Sequence, residues 1–168
     1  MNWLRSIATS LMPGQAVDVP ALPDFDLSRY LGRWYEIART DTWFERGLSR
    51  VEARYSLRGD GNLQVVNKGF DTARNRWKSV RAKGKPGDRP NAFKVYFVPL
   101  FYGRYEVAWI DPDYTRAFVS GGSLRYAWLL SRTPILAKKE CEELFSHAAA
   151  LGYDRSSFQT EKRPATGA

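Results

Sequence analysis

Cys141 and His147 are the only cysteine and the only histidine among 168 residues. A thiol beside an imidazole makes a nucleophile and its base. These two stand six apart in a stretch patterned as a helix, so they point to different sides and do not pair there. The next candidates for acid–base work are Asp111 and Asp113, but Asp111-Pro112-Asp113 is turn chemistry, and structure explains it better. No nucleophile–base motif, phosphate loop or metal-ligand cluster stands out, so neither an enzyme nor a cofactor or metal is expected. A single cysteine excludes an intramolecular disulfide, and a thiolate zinc site needs more such ligands. What remains is non-covalent chemistry between two distant runs, Gly32-Arg33-Trp34-Tyr35-Glu36-Ile37-Ala38 and Leu129-Leu130-Ser131-Arg132-Thr133-Pro134. An arginine on an inward face is costly unless paired or stacked. An indole offers a face for that guanidinium, worth about 0.5–2 kcal/mol.

Bringing Trp34 and Arg132 together is the task of the segments between them. Eight runs have strand character, at about 33–40, 50–58, 62–70, 76–85, 92–98, 104–110, 115–120 and 125–132, with the usual few residues of error at each end. Gly59-Asp60-Gly61-Asn62 tolerates the positive φ of a tight hairpin, and Pro86 and Pro90 bar ladder pairing between the fourth and fifth runs. Val51, Ala53, Tyr55 and Leu57 share a face against Glu52, Arg54 and Ser56. Period two with one apolar face means a sheet buried on one side. Eight short-linked strands hide both edges only by closing on themselves. In an up-and-down series the first strand starts, and the eighth ends, at the same end of the barrel. Trp34 and Arg132 then share one floor, with Gly32 letting the turn at 27–31 pass close beneath.

The fold expected is all-β: an eight-stranded antiparallel up-and-down barrel, a short 3-10 turn plugging the floor, and one helix over 137–151 packed outside. Cys141, Leu144, Phe145, Ala148 and Leu151 form that helix's apolar stripe. Ser157-Phe158-Gln159-Thr160 reads as one last short strand. The domain covers 24–162, after a partly flexible extension at 1–23 and before a disordered tail at 163–168. In the extension, Trp3, Leu4, Ile7 and Leu11 fall at helical spacing. No stretch is long and apolar enough for a transmembrane helix. The net charge is +8, and nine Lys/Arg between Lys68 and Lys94 against Asp71 and Asp88 supply nearly all of it. Such a run attracts anionic lipid or nucleic acid, or is a solvated strand face. Trp77 within it suggests the aromatic–basic face of an OB-fold, but that fold has five strands and eight are read here, so no nucleic acid is expected.

Gly-x-Trp at the first strand, Asp111-Pro112-Asp113-Tyr114 at the sixth-to-seventh turn and an arginine closing the eighth strand resemble the three signature regions of lipocalins. Arg46-Gly47-Leu48, Tyr55-Ser56-Leu57, Asn67-Lys68-Gly69-Phe70, Phe101-Tyr102-Gly103 and Leu130-Ser131-Arg132-Thr133-Pro134 resemble the bacterial branch related to apolipoprotein D. The resemblance implies an extracytoplasmic carrier of fatty acids or lysophospholipids in the cell envelope, sometimes dimeric. Its anchored members carry a lipidated cysteine after a signal peptide. Neither is read here, so a soluble cytoplasmic or periplasmic protein is the expectation.

Strand phase gives the expected cavity lining: Val51, Ala53, Tyr55, Val65, Asn67, Phe93, Val95, Phe97, Tyr105, Val107, Trp109, Ala117, Val119, Tyr126 and Trp128. Trp77, Val80 and Ala82 admit no phase for strand four without a bulge. At the open end, Trp43, Phe44, Phe101 and Tyr102 form either a greasy lip, touching ligand, an anionic membrane or a second subunit, or a plug.

Overall fold

The computed structural model describes residues 14–42, 44–98, 101–161 and 163. Its first element, α1 (Leu27–Tyr30), is capped by Asp26, whose carboxylate accepts from the Ser28 amide at 2.8 Å. The sequence predicts a 3-10 turn here, and the structure differs. The amide bonds of α1 run from Tyr30 to Asp26 and from Leu31 to Leu27, four residues back, so it is α-helical. Eight strands follow: β1 (Gly32–Thr40), β2 (Leu48–Leu57), β3 (Leu63–Asp71), β4 (Arg76–Pro86), β5 (Ala92–Val98), β6 (Phe101–Ile110), β7 (Arg116–Ser120) and β8 (Ala127–Ser131). Each pairs antiparallel with the next, and β1 pairs with both β8 and β2, which closes the barrel. Outside lie α2 (Lys138–Ala150) and a short strand, β9 (Phe158–Thr160).

The closure is uneven. β1 bonds to β2 only over Gly32–Tyr35; over Ala38–Thr40 its partner is β9. Residues beyond β9 complete this seam. The Glu161 amide donates to Ile37 O at 2.9 Å, the Glu161 carboxylate accepts from the Arg50 amide at 2.7 Å, and Arg163 donates to Val51 O at 2.6 Å. These bonds make Arg163 part of the wall, where the sequence predicts a disordered tail. On the other side, β4 meets β5 only over Lys83–Pro86, so the upper part of the β3–β4 hairpin stands clear of the β5 ladder. The β3–β4 register is unbroken from Leu63↔Gly84 to Asp71↔Arg76. Strand four therefore needs no bulge: Val80, Ala82 and Gly84 share the inner face and Trp77 the outer.

Two apolar clusters sit on the two faces of the sheet. The inner one includes Phe25, Tyr30, Trp34, Tyr55, Phe93 and Val107. The outer one joins Phe118 and Leu129 of the wall to Leu144, Phe145 and Ala148 of α2. Residues 14–23, expected to be partly flexible, run along the barrel. Ala16 bridges Ser123, Val17 and Val19 are buried in the outer cluster, and Asn91 donates to Pro20 O at 3.0 Å. The helical spacing at Trp3–Leu11 and the end of the tail, from 164, lie outside the described residues.

Candidate functional site

The floor is built by Arg132. Its guanidinium carbon lies 3.9 Å from the Trp34 ring centroid, and its nitrogens donate to Arg33 O at 2.7 Å, Arg29 O at 2.8 Å, Tyr30 O at 3.2 Å and Tyr114 O at 3.2 Å. Trp34, fully buried, donates to Tyr30 O at 2.7 Å. One side chain thus ties α1, β1 and the β6–β7 turn together. Gly32 stands at φ 98°, and a Cβ there would lie 3.3 Å from the Arg132 nitrogen. The same turn engages Asp111, which accepts from the Thr115 and Arg116 amides at 2.6 and 3.0 Å. The Tyr114 hydroxyl accepts from the Asp26 amide at 2.8 Å.

Above the floor, three tyrosine hydroxyls meet. Tyr30 and Tyr55 lie 2.5 and 2.7 Å from the Tyr105 oxygen. Burial pushes all three phenols above their ordinary pKa, so they stay protonated. Three protons shared over two bonds leave one donor for an oxygen of a guest.

Nearer the mouth, the inner face becomes charged. Glu36 pairs across the sheet with Leu130 and Arg39 with Trp128, both inward residues. Arg39 contacts Glu36 at 2.5 Å, Glu161 at 2.8 Å and Glu45 at 3.9 Å, and donates to the Glu45 and Leu48 carbonyls at 3.1 Å. Glu45 accepts from the Thr42 hydroxyl at 2.5 Å and from the Trp128 indole at 3.1 Å. Three buried carboxylates therefore surround one guanidinium, with Arg163 as the next cation. Burial, with the Glu45 charge adding to it, holds the Glu36 carboxyl well above the usual range against the pull of Arg39. Burial likewise raises Glu45.

In the window from the ordinary carboxylate pKa up to the raised one, the folded state holds a proton that the unfolded state has lost, so stability is fullest below the window and falls as pH rises through it. Glu36→Gln is expected to flatten that fall and to unfold at higher urea than wild type at weakly alkaline pH. Paired urea titrations at weakly acidic and weakly alkaline pH check it; equal slopes for the two proteins contradict it.

The structure brings Ala53, Tyr55, Val65, Phe93, Val95, Val107, Ala117 and Val119 into the inner cluster, with Tyr105 and Trp128 packed half-buried against it. Val51 is buried where a Cβ on Gly69 would meet it at 3.2 Å. Asn67 is half-buried between Ala53 and Val80 in the ladder and makes no side-chain hydrogen bond among the described residues. Tyr126 lies half-buried just before β8, outside the inner cluster. Trp109 is a correction. A register shift between Val107 and Trp109 turns Ala108 and Trp109 outward, and the Trp109 ring stacks on His147 of α2 at 4.1 Å. Tyr102 is a second correction. It lies one step out of phase with inward Tyr105, is 44% exposed and carries Lys94 on its ring, so it belongs to the outer wall rather than the lip. Phe44 is 38% exposed, with its ring 6.4 Å from Trp128. Trp43 and the side chains of Phe97 and Phe101 lie outside the described residues.

Sequence reasoning missed Glu36, Arg39, Glu45, Glu161 and Tyr30. Glu36 and Arg39 are three apart, and alternation puts them on opposite faces. The register shift between Glu36 and Ala38 puts both inside. Among the described residues no group of three or more His, Cys, Asp or Glu is placed to hold a metal. His147 is occupied by its stack on Trp109, and burial keeps the Cys141 thiol protonated.

Known proteins share this architecture. Residues 25–163 match the model of the Lipocalin-like domain. The chain is 43% identical over 148 residues to the outer membrane lipoprotein Blc of Escherichia coli (strain K12), covering 87% of this chain and 84% of that protein. To mouse apolipoprotein D the identity is 29% over 160 residues, covering 88% and 82%. Lobster apocrustacyanin A1 superposes with a TM-score of 0.67 at 16% identity, covering 92% of this chain and 94% of that one.

Proposed function

This chain belongs to the lipocalin family, whose fold binds small hydrophobic ligands, and from that premise we propose that its barrel carries a single-chain lipid, a fatty acid or a lysophospholipid. The observation that supports this is the state of the inner face above the floor. Asn67, Tyr105 and Trp128 are only half-buried, and Val80 is 51% exposed, although all four stand in the inward phase. A barrel packed solid would bury them. Ala53 and Ala82 leave width beside the aromatics. Each methylene taken out of water contributes about 0.8 kcal/mol, so roughly a dozen of them sustain a micromolar complex before costs.

Charge sets the ligand's direction. The inward guanidinium, Arg39, is already committed to three carboxylates and two carbonyls. A lipid carboxylate or phosphate pushed down beside this cluster would give up its water in a dry setting where Arg39 is already taken. The tail therefore goes inward toward the tyrosines and the acidic head stays at the mouth, beside Arg76 at the start of β4 and the loop residues Arg46 and Arg74, which pair with Asp41 and Asp71.

The test is fluorescence titration with cis-parinaric acid. Wild type is expected to bind it one to one. Asn67→Trp, which fills the mouth-side width, is expected to weaken binding by about tenfold or more. A folded Asn67→Trp protein with undiminished affinity contradicts the placement of the ligand.

A further inference from the structure

The outer wall of the barrel carries a feature that ligand carriage does not use. On β3 and β4 the residues out of phase with inward Val65 and Ala82 include Lys68, Phe70, Trp77 and Arg81. On β5 and β6, those out of phase with Val95 and Tyr105 include Lys94, Tyr96 and Tyr102. They face solvent as two plates. In the first, the Phe70 and Trp77 rings meet edge to face at 5.5 Å; Arg50 lies 4.2 Å over Phe70, and Lys68 4.6 Å from the Trp77 centroid. In the second, Tyr96 and Tyr102 lie 5.3 Å apart, with Lys85 and Lys94 each 5.2 Å from a ring. Trp77 is 46% exposed. Lys68, Arg81, Lys85 and Lys94 are exposed and have no carboxylate in ion-pair reach among the described residues. The acidic residues on this face are Glu52, opposite Lys68, Asp60, which pairs with Lys83, and Glu106, which already bridges Arg89 and Arg104.

We propose that this β3–β6 wall docks on the surface of an anionic phospholipid bilayer. Cations of one sign over a face several strands wide are drawn to a negatively charged leaflet. Tryptophan and tyrosine suit the headgroup level of a bilayer, where one edge is dry and the other wet. A single-stranded nucleic acid needs bare ring faces on which bases stack. Here each ring already carries a lysine or arginine on its face, leaving edges and ammonium heads outward. The Phe70–Trp77 plate adjoins the β3–β4 turn at the open end, so docking brings the mouth beside the bilayer. The docking does not depend on what the cavity holds.

Vesicle flotation of the full chain tests this. Vesicles of phosphatidylcholine mixed with phosphatidylglycerol are expected to carry the protein up at low salt, and to release it at high salt; vesicles of phosphatidylcholine alone are not expected to carry it. Combining Lys68→Gln, Arg81→Glu and Lys94→Glu is expected to cut partitioning at least about tenfold, with cis-parinaric acid binding and thermal midpoint unchanged. Trp77→Ala with Tyr102→Ala weakens partitioning without altering the charge. Equal flotation on both vesicle types, no flotation on either, undiminished flotation of the triple variant, or binding to oligothymidylate without binding to vesicles overturns the proposal.

Discussion

Arg39→Met is expected to lower the unfolding free energy by about 3–5 kcal/mol, the usual cost of removing one partner from a buried ion cluster. The methionine fills similar volume, so the loss is electrostatic rather than a cavity. Glu36, Glu45 and Glu161 would face one another with their shared cation gone, and the Glu45 and Leu48 carbonyls would lose a donor. Because Glu161 fixes the segment that closes the β1–β2 seam, the damage reaches the wall itself. A domain stable by about 5–15 kcal/mol would be brought near its threshold. Urea unfolding measures the loss, and adding Glu36→Gln and Glu45→Gln to Arg39→Met should recover part of it. A loss below about 1 kcal/mol would mean the cluster is far better hydrated than its burial implies.

Arg132→Ala is the second large effect, expected at about 2–4 kcal/mol. Four backbone carbonyls lose a charged donor, each such loss costing roughly 1–3 kcal/mol when buried and less where water reaches; the Tyr30 carbonyl keeps the Trp34 indole. The stack on Trp34 contributes about 0.5–2 kcal/mol more. Arg132→Lys should recover little, because an ammonium cannot hold four carbonyls spread over α1, β1 and the β6–β7 turn while lying flat on an indole. Since the tyrosines separate this floor from the upper interior, the fraction still folded should bind cis-parinaric acid as wild type does. Selective loss of binding without loss of stability would move Arg132 from the floor into the ligand site.

The barrel was legible because its signals are local and repeated: alternation within each strand, and turn residues between them. Counting strands then placed Trp34 and Arg132 at one end, and their geometry is that of a stacked, carbonyl-bound pair. The interior was legible only where alternation is unbroken, as along Ala53–Tyr55, Phe93–Val95 and Tyr105–Val107. An extra residue in one strand inverts every later side chain, and two such shifts misdirected the reading. One sends Trp109 out to His147; the other brings Glu36 and Arg39 inside together. A bulge leaves no compositional mark, so neither was visible in the chain. Glu161 was hidden for a different reason, since it reaches the site through a pairing of β9 with β1 across most of the sequence. The basic run from Lys68 to Lys94 was visible as charge, but its seating on aromatic rings depends on cross-strand register.

The most direct measurement is native mass spectrometry of the purified chain before and after organic extraction, with palmitate and a lysophosphatidylcholine offered to the extracted, refolded protein. The expected result is one small amphiphile per chain, lost on extraction and restored by at least one of the two lipids. A folded protein that shows bare mass throughout, and takes up neither lipid, would mean that the barrel holds no guest.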